Sequence, residues 1–60
     1  MTRYTVSTEE RMLDVVERLM VQRGVVIVAR DETFGTLIID TNDPLMVSQI
    51  EGELLIRVAP

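Results

Sequence analysis

Cysteine, histidine, lysine and tryptophan are all absent from this 60-residue chain. Without cysteine there are no disulfides and no thiolate metal sites, and without histidine no imidazole ligands. The same gaps remove the usual general bases and nucleophiles, leaving carboxylates and hydroxyls as the only reactive side chains. Aromatics are confined to Tyr4 and Phe34. Stacking of nucleic-acid bases on a sheet needs several aromatics with basic neighbours, and that cluster is missing. No apolar run approaches the ~20 residues that cross a bilayer. The first residues, Met1-Thr2-Arg3-Tyr4, lack the apolar stretch of a secretion signal, so cytoplasmic residence is expected.

Positive charge is sparse as well. Six arginines stand against ten acids, a net charge of −4, and Arg3, Arg11, Arg18, Arg23, Arg30 and Arg57 are scattered singly. An anionic surface without a basic cluster repels phosphate backbones, so nucleic acid is not an expected partner. The three glycines form no phosphate-binding motif. Asp40, Asn42 and Asp43 begin like a calcium loop, but the required glycine and distal glutamate do not follow. Asp31 with Glu32, and Glu51 with Glu53, read as solvated acids. No catalytic residue, cofactor or metal is therefore assigned, and the expectation is a protein that is not an enzyme.

What the chain does have is apolar content, 47% of its residues, in well-defined periods. Tyr4 and Val6 alternate with polar neighbours as in a half-buried strand. Ser7 and Glu10 have the spacing of a capping box, and a helix is expected over 8–23. Met12, Val15, Val16, Leu19 and Met20 form its apolar stripe, and Asp14 pairs with Arg18 one turn on. Gly24 stops it. The β-branched run over 25–30 reads as a strand, and 36–40 as its hairpin partner across a turn that uses Gly35. Asp43 and Pro44 start a second helix that Gly52 ends, and 53–58 is the last strand.

The order β-α-β-β-α-β over a single domain, residues 1–60, predicts an α+β ferredoxin-like sandwich. Such a sandwich has a four-stranded antiparallel sheet with two helices on one face. If Tyr4, Val6, Val26, Val28, Leu37, Ile39, Leu54, Ile56 and Val58 meet the helices, the other face carries Val25, Ile27, Ala29, Ile38 and Leu55. A patch of that kind marks an interface. A 60-residue domain buries only about 60% of its unfolded surface, so a partner subunit would add needed burial. The expected function is a small interaction module that self-associates, as a dimer, through these five residues.

The second half supplies an alternative. Phe34-Gly35-Thr36-Leu37-Ile38-Ile39, a short helix, and Leu54-Leu55-Ile56-Arg57-Val58 resemble the propeptide-type inhibitors of subtilisin-like proteases. The resemblance implies the same β-α-β-β-α-β frame and an apolar sheet face pressed onto a larger protein partner, as inhibitor or folding chaperone. It departs at the last strand, where Arg57-Val58-Ala59-Pro60 replaces that family's acidic strand end and cleft-threading tail. A small-ligand pocket at a dimer seam is a further option, with no ligand specified.

Overall fold

Thr2–Ser7 forms β1, and a 3-10 turn at Glu10–Met12 leads into α1, Leu13–Gln22. A hairpin follows, β2 at Val26–Asp31 and β3 at Thr36–Thr41, then α2 at Pro44–Glu53 and β4 at Arg57–Ala59. The computed structural model describes residues 1–53 and 56–60. The strands pair antiparallel in the order β2-β3-β1-β4, which is the ferredoxin-like α+β sandwich.

Local chemistry explains most of the boundaries. Gly24 takes φ of 81° after α1 and Gly35 takes φ of 62° in the hairpin, a region open to glycine without steric cost. Asp43 caps α2: its Oδ1 accepts the Met46 amide at 3.1 Å, and Pro44 follows where no amide is needed. Asp43→Ala is expected to lower stability by about 1 kcal/mol, measurable by urea denaturation. A change within error would show that Thr41, whose Oγ1 accepts the Asp43 amide at 3.1 Å, orders the turn without the cap.

Three expected boundaries move. Ser7 is not a helix cap; it ends β1, facing Thr36 on one side and Arg57 on the other. Two-sided sheet pairing outweighs one side-chain cap, so the helical segment starts later. As a result Leu13, Val16 and Met20 are buried while Met12 and Val15 are exposed. Gly52 is the penultimate residue of α2 rather than the residue after it, and a glycine inside a helix costs only about 1 kcal/mol. Glu53 thereby belongs to the helix, β4 is confined to three residues, and Leu54 and Leu55 lie outside the described residues. Asp14 pairs with Arg30 rather than with Arg18.

The core lies between the sheet and the helices. Val6, Leu37 and Ile39 from the strands meet Leu13, Val16 and Met20 of α1 and Met46, Val47 and Ile50 of α2, with Val25 and Ile56 at the margins. Tyr4, Leu19, Ile27 and Val58 pack around them.

Candidate interaction surface

Residues directly opposite each other on neighbouring strands share a face, so the strand registers map the side of the sheet away from the helices. Three rows cross it. The first holds Val26, Asp40 and Arg3, from β2, β3 and β1. The middle row holds Ala29, Ile38, Thr5 and Ala59, from β2 to β4. The third holds Asp31, Thr36, Ser7 and Arg57 in the same strand order.

A break in register between Ile27 and Ala29 inserts Val28 as an extra residue in β2. In such a bulge two residues oppose one, so Val28 and Ala29 both stand against Ile38. The bulge also decides the other face. Ile27 pairs with Ile39 and Arg30 with Leu37, so both turn toward the helices. There the Arg30 Nη2 donates to Asp14 at 2.7 Å and its Nη1 to Glu17 at 3.3 Å, both on α1. Glu32 lies 3.2 Å from the same guanidinium.

Of the five residues expected on the open face, Ala29 and Ile38 are there. Val25 and Ile27 are not: Val25 is only 6% exposed within the core margin, and Ile27 packs on the core. Their places are taken by Val26 and Val28, 48% and 42% exposed. Alternation alone sets the face of β2 one residue out of phase, because Val25-Val26-Ile27-Val28 has no polar residue to mark it. The available signal is Arg30: a helix-facing arginine three residues after a helix-facing isoleucine requires one extra residue between them. Leu55 lies outside the described residues.

At the hairpin end of the sheet Ala29, Arg30, Asp31, Glu32, Thr36 and Ile38 line an open depression of about 670 Å³. In the first row Arg3 holds Asp40 by two hydrogen bonds, Nε to Oδ1 at 2.9 Å and Nη2 to Oδ2 at 3.1 Å. Those bonds and the arginine charge hold the Asp40 carboxyl below the usual aspartate range. Both sheet edges are blunted against strand addition, β2 by its bulge and β4 by its three-residue length. A smaller groove of about 300 Å³ is lined by Met12, Val16 and Ile56 together with Thr8, Glu9, Arg11 and Glu53.

Among the described residues no group of three or more carboxylates is placed to hold a metal ion, and no helix is long and apolar enough to cross a membrane. No family model, curated protein or solved structure matches the chain.

Proposed function

We propose that the protein is a non-enzymatic interaction module that forms a dimer through the open face of its sheet. The observation that carries this reading is the middle row, in which Val28, Ala29 and Ile38 stand together on the side away from the helices, with Ala59 beyond Thr5. Val26 extends the patch along β2. Charge favours a second copy there. The strand positions of the face carry Arg3 and Arg57 against Asp31 and Asp40, a balance of zero. The other four arginines and eight acids account for the whole net charge of −4. Two copies meeting on this face therefore keep most of their excess negative charge outside the contact.

Four strands at ~4.8 Å spacing make a face roughly 15–20 Å on a side, small for a specific interface, so the dimer is expected to be micromolar. Light scattering after size exclusion, over a concentration series into the high micromolar range, measures it. Val28→Lys with Ile38→Lys removes apolar burial worth roughly 1.5 kcal/mol or more per side chain. Both changes occur twice in a symmetric dimer, so association is expected to fall at least about a hundredfold, with circular dichroism unchanged. A double variant that dimerises like the wild type places the contact elsewhere. A wild-type monomer at every concentration overturns self-association.

A further inference from the structure

The charged positions of the open face are not only balanced but arranged. Ordered across the sheet, the first row reads Val26, Asp40, Arg3, and the third reads Asp31, Thr36, Ser7, Arg57. In each row an acid stands on the β2–β3 half and an arginine on the β1–β4 half. Asp40 and Arg3 lie on the two central strands, Asp31 and Arg57 on the two outer ones.

Resting on the self-association proposed above, we infer that the second copy packs sheet on sheet about a two-fold axis parallel to the strands, midway between β3 and β1. Rotation about that axis leaves each row in place and exchanges β3 with β1 and β2 with β4. Asp40 then lies over the partner's Arg3 and Arg3 over the partner's Asp40, each about 2.4 Å from the axis in projection. Asp31 lies over the partner's Arg57, and the reverse, about 7 Å out. All four charged positions meet the opposite sign. Ile38 covers the partner's Thr5, and Val28 and Ala29 cover the partner's Ala59, so the apolar residues of the middle row stay inside the interface. The strands of the two sheets keep nearly the same direction, the aligned packing that twisted sheets favour, about 30° apart.

The other in-plane two-fold, perpendicular to the strands, exchanges the first and third rows instead. Val26 would then cover the partner's Asp31, Asp40 the partner's Thr36, and Arg3 the partner's Ser7. No opposite charges meet, and an aspartate is buried against an apolar residue. Charge complementarity therefore selects one axis.

The test exploits that symmetry. In an Arg3→Asp, Asp40→Arg double variant the intrachain pair persists with its polarity reversed, and the variant remains complementary to itself. Against wild type, arginine meets arginine and aspartate meets aspartate. Native mass spectrometry of the variant mixed with isotopically labelled wild type should show both homodimers, with the mixed dimer depleted about tenfold or more from its statistical share. Both homodimers with a statistical mixed dimer overturn the orientation while leaving self-association standing. A wild type that is monomeric throughout overturns both.

Should the double variant fail to fold, Arg57→Asp reads the outer pair. It sets aspartate against the partner's Asp31 and should weaken the dimer about tenfold. Adding Asp31→Asn should recover most of that loss. Asparagine keeps the oxygen that accepts the Thr33 and Phe34 amides at 3.0 and 3.4 Å, so the hairpin is preserved. Arg18→Asp, exposed on α1, makes the same change of net charge away from the face and should leave the dimer unchanged. Equal weakening by Arg18→Asp and Arg57→Asp, or no recovery on adding Asp31→Asn, overturns the orientation.

Discussion

A Gly35→Ala chain is expected to lose most of its folding stability. Two costs coincide at this position. Gly35 holds φ of 62°, where an L-residue loses roughly 1–2 kcal/mol. A Cβ built there also overlaps the backbone carbonyl oxygen of Thr8, well inside van der Waals contact. That carbonyl cannot retreat easily, because the Thr8 amide donates to the Gly35 carbonyl at 2.9 Å and so ties the two backbones together. Thr8 follows the last residue of β1, and Gly35 precedes the first residue of β3, the strand with which β1 pairs. Relieving the overlap would pull apart the end of the central strand pair. The combined cost is expected to reach about 3 kcal/mol or more, against a total stability of about 3–5 kcal/mol for a core of this size. Thermal melts followed by circular dichroism provide the measurement, with Gly24→Ala as the comparison. Gly24 has φ of 81°, but nothing lies within 4 Å of a Cβ placed there, so its cost should stay near ~1–2 kcal/mol. If the two variants melt together, backbone conformation alone governs the hairpin, and the contact with Thr8 contributes nothing.

The contrast between these glycines shows what a sequence can carry. That Gly24 and Gly35 mark turns is readable from their neighbours, because a glycine between two apolar runs has few other uses. That only Gly35 is pressed against another strand depends on which strands meet, a fact absent from local pattern. The phases of β1 and β3 are readable for a related reason. Tyr4 and Val6 alternate with Arg3 and Thr5, and Leu37 and Ile39 are bounded by Thr36 and Asp40, so polar residues mark the outer face. In β2 four consecutive apolar residues erase that mark, and a bulge then shifts it, so alternation places Val25 and Ile27 on the wrong face. Ser7 misleads because its capping signal competes with strand pairing on both sides. The charge arrangement is hidden most completely. Arg3 and Asp40 are 37 residues apart, and Asp31 and Arg57 lie on opposite edges of the sheet, so their common geometry exists only once the register is known.

Adjacent residues on β3 test the division between the two faces. Ile39→Ala is expected to destabilise the monomer by about 3 kcal/mol, within the roughly 2–5 kcal/mol typical of buried isoleucine. Its side chain is fully buried, flanked by Tyr4 on β1 and Ile27 on β2, and it joins the core formed with both helices. The lost methyl and methylene groups would leave a cavity that two adjoining strands hold open. Ile38→Ala removes the same atoms one residue earlier, from the half-buried open face, and should cost the monomer less than about 1 kcal/mol. Urea denaturation at low micromolar concentration measures both, since a dimer of the proposed strength is then dissociated. Raising the concentration should leave the Ile39 penalty nearly constant while enlarging that of Ile38, because a dimer that buries Ile38 adds its binding free energy to the stability of the folded state. Equal penalties at low concentration would mean that Ile38 is already as well packed as the core. Penalties that do not change with concentration would mean that no second copy covers it. A large, concentration-independent cost at position 39, beside a small, concentration-dependent one at position 38, is the pattern expected of a strand whose two faces serve folding and association separately.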